Sequence, residues 1–267
     1  MEESVNRIMS QGSILESGKQ RHYLLKYSMG LNMDKPASYT IIAGCANPFG
    51  LFEPFKAFIE LMRLFDVDYT FLKKEYCCGN LAYREISKED RPKLEDYSKQ
   101  FIEDNLKQAK NLGSKAIVTF CCVCAYLYNR FFGDEYEGMR ILYFPEFLLE
   151  TMKGTPRLDK RVAYYEGCYR YQRDLAPGAK INLKSNHELL SRIEGLQLSQ
   201  VPSNLCCMDD LQKIMEEVNN QDVDTVVTSC TGCYAVLGVT SKLMGGKPPV
   251  KFLTEILLEA YKQDNSD

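Results

Sequence analysis

The sequence predicts an α/β protein made of two tandem Rossmann-like βαβ halves related by internal duplication, with cysteine loops at the C-terminal strand ends. Three observations carry this. Short β-branched runs alternate with stretches whose apolar residues recur at helical spacing. The alternation runs through twice in the same order. Residues 141–153 (Ile-Leu-Tyr-Phe-Pro-Glu-Phe-Leu-Leu-Glu-Thr-Met-Lys) also align with 250–262 (Val-Lys-Phe-Leu-Thr-Glu-Ile-Leu-Leu-Glu-Ala-Tyr-Lys) at an offset of 109, the offset that separates Cys121 from Cys230. Two unrelated features at one offset indicate a duplicated unit.

Residues 1–37 are mainly polar, with an apolar cluster at Tyr23, Leu24, Leu25, Tyr27 and Met29, and read as an extension that docks on something. The first half spans 38–157. Tyr39 to Ala43 reads as a buried strand ending at Gly44-Cys45, followed by a helix from about Glu53 to Phe65. A strand over Val67 to Leu72 leads to Cys77-Cys78-Gly79, and a helix from about Lys93 to Leu112 stops at Gly113. Ala116 to Phe120 is a third strand and closes on Cys121-Cys122-Val123-Cys124. The second half, 158–267, repeats the plan. Its strand Arg161 to Tyr165 enters Gly167-Cys168, a helix lies near Asn186 to Ile193, and a strand over Leu196 to Val201 leads to Cys206-Cys207. A helix over Asp209 to Val218 and a strand over Thr225 to Thr228 then reach Cys230-Thr231-Gly232-Cys233.

At 267 residues, either one large domain or two small ones can bury a full core without staples. Hydrophobic residues make up 45% and charged residues 26%, which excludes disordered and fibrous readings. A net charge of −3 supplies no global field for nucleic acid or an anionic membrane. The start lacks a secretory pattern, and the longest apolar run, Ile117 to Tyr128, is too short for a transmembrane segment. A cytoplasmic location is expected, where clustered thiols bind metal or do redox work more often than they form structural disulfides.

Eleven cysteines stand out in this composition. Ten fall into one pattern used twice: Cys45, 31 residues, Cys77-Cys78, 42 residues, Cys121-x-x-Cys124; then Cys168, 37 residues, Cys206-Cys207, 22 residues, Cys230-x-x-Cys233. Each lies just past a strand, at the edge of a parallel sheet where ligands gather. Many also lie where a helix begins, and helix N-termini favour the thiolate that ligates metal. Five thiols per half is one more than zinc or an ordinary cubane cluster takes. If all five ligate, the site is an unusual iron–sulfur assembly; if four do, zinc fits equally well.

Two copies of Cys, a spacer, Cys-Cys, a spacer and Cys-x-x-Cys over about residues 38–240 resemble the cysteine-rich CCG domains of the heterodisulfide reductase B subunit family. The resemblance implies a noncubane [4Fe-4S] cluster in each half. Cys45, Cys77, Cys78, Cys121 and Cys124 would hold one, and Cys168, Cys206, Cys207, Cys230 and Cys233 the other. It further implies an oxidoreductase subunit that acts on a small thiol or disulfide substrate by one-electron steps. The sequence has no flavin or nicotinamide signature, so a ferredoxin-like iron–sulfur subunit and a flavoprotein subunit of the same complex would supply electrons. Two alternatives stand beside this. One is the CCG-domain electron-transfer subunit of a succinate dehydrogenase, fumarate reductase, or glycolate or lactate oxidase-type complex. The other is a non-catalytic scaffold stabilised by zinc in one or both halves. The second half departs from the pattern, with Met208 in the place of Gly79 and a shorter last spacer, as though a helix or loop were missing.

Cys122 has no counterpart in the second half, where Thr231 stands, and is read as packing or incidental. His22 and His187 read as surface or locally hydrogen-bonded side chains. Glu75, Glu166, Asp209 and Asp210 flank cysteines and read as solvated or helix-capping acids, with proton carriage during sulfur chemistry as the sharper alternative. Arg170 and Arg173, with Tyr169 and Tyr171, read as polar surface, with an anionic thiol substrate as the sharper alternative. Gly44 to Gly50 lacks the spacing of a phosphate-binding loop.

Overall fold

The computed structural model describes residues 2–15, 18–84, 86–87, 89–167, 181–202, 205–207, 210–243, 245 and 248–264. Cys168, Tyr169, Arg170, Tyr171, Arg173, Met208 and Asp209 lie outside them. The chain divides into two compact units. The first is built from residues 2–50 and 68–144, the second from 51–67, 145–167 and 182–264.

Strands β1 (Tyr39–Ile42), β2 (Tyr69–Phe71), β3 (Ala116–Thr119), β4 (Glu135–Tyr136) and β5 (Met139–Tyr143) form the sheet of the first unit, in the order β2-β1-β3-β5-β4. Tyr39 pairs with Tyr69 on one side and Ala116 on the other, and Ala116 pairs with Arg140, all parallel. Only β4 runs antiparallel, as a hairpin with β5. Strands β6 (Arg157–Tyr164), β7 (Glu194–Gln200), β8 (Thr225–Thr228) and β9 (Val250–Phe252) form the second sheet, all parallel, in the order β7-β6-β8-β9. With the β4 edge set aside the two orders coincide, so the duplication read from the sequence is a duplication of topology. Both central strands, Ala-Ile-Val-Thr and Thr-Val-Val-Thr, are buried at every position, as parallel strands covered on both faces require.

The helices are α1 (Glu2–Gln11), α2 (Gly18–Tyr23), α3 (Asn47–Gly50), α4 (Phe52–Leu64), α5 (Arg91–Asn111), α6 (Cys122–Phe132), α7 (Phe144–Thr151), α8 (Lys184–Ser191), α9 (Leu211–Asn219), α10 (Thr231–Leu243) and α11 (Leu253–Asp264). The aligned segments at offset 109 are β5 with α7 and β9 with α11, a strand running straight into a helix in both cases. The helix expected over Asp209 to Val218 is present as α9 but short, with 9 residues where α5 has 21, so the shorter last spacer goes with a shortened helix. Chain order is not followed at α4, which packs in the second unit. Its apolar stripe of Phe55, Phe58, Ile59 and Met62 is buried, Phe58 meets Phe147 edge-on at 5.9 Å, and Thr254 donates to the Pro54 carbonyl at 2.7 Å.

The extension has more structure than its polar composition announces. It forms α1, α2 and a π-helical turn over Leu24–Ser28, and it docks on its own first unit. Val5, Ile8 and Ile14 enter a core cluster with Cys77, Ala82, Leu94 and Phe101. Residues 32–34 then run along the open edge of β2, where Phe71 N–H donates to Asn32 and Asp34 N–H donates to Phe71. Among the described residues no helix is long and apolar enough to cross a membrane.

Candidate metal centre

In a parallel sheet ordered β2-β1-β3, the strand order reverses beside β1, and a crevice opens at the carboxyl ends of the strands. The first unit places its cysteines there. Cys45 follows β1, Cys77 and Cys78 follow β2, and Cys121 follows β3. Cys121 is the N-cap of α6, with extended backbone, and Cys124 is its third helical residue. The Cys-x-x-Cys spacing therefore puts two sulfurs at the positions a capping box gives to oxygens, against the positive end of the helix.

The five sulfurs form one continuous string. Cys45 hydrogen-bonds Cys77, Cys77 contacts Cys78, Cys78 lies 3.6 Å from Cys124, and Cys124 contacts Cys121. Cys77, Cys78 and Cys124 are buried, whereas Cys45 and Cys121 are half-buried. Hydrogen bonds from Cys45 and Cys78 hold the Cys77 thiol well below the usual range, with help from the Gly79 N–H and Arg21, against the opposing effect of burial. Its hydrogen bond to Cys77, and then burial, push Cys45 up. Cys124 is raised by its hydrogen bonds to Cys121 and Cys78 and by burial.

Behind the sulfurs lies a layer that sequence reasoning missed. The Glu75 carboxylate, expected at the surface or on a helix cap, is buried and accepts the backbone N–H groups of Ala43 at 2.9 Å and Gly44 at 2.8 Å. Burial pushes its carboxyl up, against the pull of Arg21 and the two amides. Asn105 on α5 is also fully buried. It donates to the Tyr76 carbonyl at 2.7 Å, accepts the Tyr76 N–H at 2.8 Å and donates to the Tyr128 hydroxyl at 2.8 Å, clamping the residue before Cys77 to α6. Asn105 had a legible signal. With Ser98 it interrupts the otherwise apolar face Leu94, Phe101, Ile102, Leu106, Ala109, and a polar residue on a buried stripe must have partners. Glu75 had none, since its partners lie 31 residues or more away in sequence.

The second unit repeats the arrangement as far as it is described. Cys206 and Cys207 follow β7, Cys230 follows β8, Cys233 lies in the first turn of α10, and all four are buried. The Tyr165 hydroxyl donates to the Leu205 carbonyl at 2.5 Å and fixes the approach to Cys206. Gly167, the neighbour of Cys168, has φ +78°, and a Cβ there would stand 2.8 Å from the Cys233 sulfur. Its counterpart Gly44 has φ +83°, and a Cβ there would meet the Asn47 amide nitrogen at 2.9 Å but the Cys121 Cβ only at 3.7 Å. Both positions favour glycine because the backbone is left-handed; the space beside Gly167 belongs to the Cys-x-x-Cys turn and that beside Gly44 to Asn47.

The remaining expectations fall as follows. Cys122 is buried at the first position of α6. Asp210 is the N-cap residue of α9, with no side-chain capping bond. His187 meets the Tyr164 ring edge-on at 4.8 Å. His22 faces Tyr27, and burial, followed by Lys26 and Lys73, lowers its pKa.

An iron–sulfur group fits the residues present. The donors are soft sulfurs that converge from three loops onto a helix N-terminus. Around the first set, the Ser98 hydroxyl and the Asn47 side-chain oxygen are buried without protein partners. Among the described residues no three His, Cys, Asp or Glu side chains are already spaced around a single ion.

No curated protein matches this chain. Among solved structures, glutamate racemase isoform RacE1 from Bacillus anthracis is 12% identical, over 88% of this chain and 80% of the racemase, with a TM-score of 0.36. Glutamate racemase from Campylobacter jejuni subsp. jejuni is 13% identical, over 86% and 85%, also with a TM-score of 0.36. At such scores neither likeness bears on the fold or the chemistry. The family model of the CCG cysteine-rich domain matches residues 39–127, the stretch from β1 into α6 that carries all five sulfurs of the first site, and it points to an iron–sulfur or electron-transfer role.

Proposed function

We propose that the chain is the iron–sulfur subunit of a heterodisulfide or thiol-disulfide reductase-type complex, and that each set of five cysteines holds a noncubane [4Fe-4S] cluster. The observation that carries this reading is the string of five sulfurs drawn from three adjacent strand ends, where zinc or a cubane would use four. Clusters so held pass electrons one at a time, and two of them supply the two electrons that, with two protons, convert a disulfide into two thiols. The chain's own residues set the frame. Cys121 and Cys124 place sulfur on a helix N-terminus, Glu75 and Asn105 fix the loops behind Cys45 and Cys77, and Gly44 and Gly167 leave room for Asn47 and for the second Cys-x-x-Cys turn. The reading includes a ferredoxin-like and a flavoprotein partner that deliver the electrons, and a cytoplasmic location.

Iron and acid-labile sulfide analysis of anaerobically purified protein tests it. About eight irons per chain is the expected result, from two four-iron clusters. Zinc without iron overturns it in favour of a scaffold. Cys206→Ala is expected to abolish the second site's electron paramagnetic resonance signal and leave the first intact; retention of both signals would remove Cys206 from the ligand set. Iron-loaded protein that passes electrons but never reduces a disulfide would assign it to the electron-relay alternative.

A further inference from the structure

Among the described residues, Arg21 and Glu75 are the only charged side chains that are fully buried, 3% and 1% exposed. They face each other, with Arg21 Nη1 3.5 Å from Glu75 Oε1. A buried ion pair gives back in attraction little more than its desolvation cost, so net stability is a weak reason to keep one. Its surroundings supply another reason. Arg21 Nη2 donates to the carbonyls of Gly12 and Glu75. The Gly12 carbonyl also accepts the Cys77 N–H at 2.9 Å. The approach is so close that a Cβ on Gly12 would fall 2.4 Å from the Glu75 carbonyl oxygen. Glu75 in turn holds the N–H groups of Ala43 and Gly44, immediately before Cys45. One arginine of the extension thus ties together the Cys45 loop, the Cys77-Cys78 loop and the chain turn at Gly12. Among the described residues of the second unit no charged side chain is buried.

We propose that residues 2–15 and 18–28 belong to the first cysteine site and that Arg21 is its positioning residue, holding the Cys45 and Cys77 loops through Glu75 and Gly12 and balancing the buried Glu75 carboxylate beside them. The inference rests on the iron–sulfur reading for its redox consequence but not for its structural one. A buried carboxylate left without its cation disfavours the more negative, reduced state of a neighbouring cluster, so loss of Arg21 alone lowers the first site's potential.

The test uses the full chain. In a Cys206→Ala background, reconstituted anaerobically with ferrous iron and sulfide, the first site is titrated by electron paramagnetic resonance. Arg21→Met removes the cation and strands the Glu75 carboxylate. At a fixed potential it is expected to shift the reduced-to-oxidised ratio at least tenfold toward oxidised, about 59 mV for one electron. Arg21→Lys is expected to stay near wild type, and the charge-balanced pair Arg21→Met with Glu75→Gln to recover most of the shift. Equal potentials in all three variants, or Arg21→Lys behaving like Arg21→Met, would overturn the electrostatic role. A second measurement needs no iron: alkylation rates of individual cysteines in the metal-free chain with native Cys206, read by mass spectrometry. Arg21→Met is expected to speed modification of Cys45 and Cys77 at least tenfold and to leave Cys207 and Cys230 unchanged. Unchanged rates at Cys45 and Cys77, or an equal rise at all four, would overturn the positioning role. A wild-type chain that takes up no iron defeats the iron–sulfur reading, and the alkylation result still decides the role of Arg21.

Discussion

Asn105→Ala is expected to lower the unfolding free energy by roughly 2–4 kcal/mol, because it strands several polar groups at about 1–3 kcal/mol each. Asn105 satisfies both backbone groups of Tyr76 and donates to Tyr128. No other partner takes its place. Tyr76 also stacks on Phe101 of the same helix at 5.8 Å. The loss also has a direction. Tyr76 precedes Cys77, so the loop that loosens is the one that carries Cys77 and Cys78, and those thiols should alkylate faster while Cys206 and Cys207 keep their rates. Gln108→Ala, one turn along α5, is the control. Gln108 donates to the carbonyls of Lys74 and Asp104 from a half-buried position that water reaches, and its removal should stay within about 1 kcal/mol. Denaturant unfolding of the two variants checks the contrast, and equal midpoints would mean that Asn105 bears no such load.

The difference between Asn105 and Gln108 shows where the sequence is legible. Strands were readable because β-branched runs such as Ala-Ile-Val-Thr and Thr-Val-Val-Thr have few other uses, and the duplication because the same order and offset occur twice. Once the β2-β1-β3 order is known, the meeting of Cys45, Cys77, Cys78, Cys121 and Cys124 follows from topology, since adjacent strands deliver their loops to one edge. What stayed hidden depends on pairing across long stretches of chain. Arg21 and Glu75 are 54 residues apart, and neither has a local pattern that marks it as buried. The helical extension was hidden for a related reason. Val5, Ile8 and Ile14 are too few to announce an amphipathic helix, and their burial depends on a surface that includes Cys77. The placement of α4 in the second unit was hidden as well, because its apolar stripe reads the same whichever sheet it covers.

Gly167→Ala is expected to disable the second site selectively. Two costs combine in it. A non-glycine residue at φ +78° costs about 1–2 kcal/mol from backbone strain alone. The new Cβ would also lie 2.8 Å from the Cys233 sulfur and 3.3 Å from the Cys230 Cβ, both on buried side chains, so the Cys-x-x-Cys turn itself must move. Gly113→Ala separates the two costs, since Gly113 has φ +77° with open space around its missing Cβ. Gly44→Ala grades the contact term. A Cβ there meets the Asn47 amide nitrogen at 2.9 Å but reaches the Cys121 Cβ only at 3.7 Å, an ordinary van der Waals distance. The expected order of stability is therefore Gly113→Ala above Gly44→Ala above Gly167→Ala. On the proposed function, iron content should fall by about half in Gly167→Ala as the second cluster is lost, with the first site's signal intact. If Gly167→Ala unfolds at the same denaturant concentration as Gly113→Ala and binds its full complement of iron, the close packing of Gly167 against Cys233 does not govern the second site.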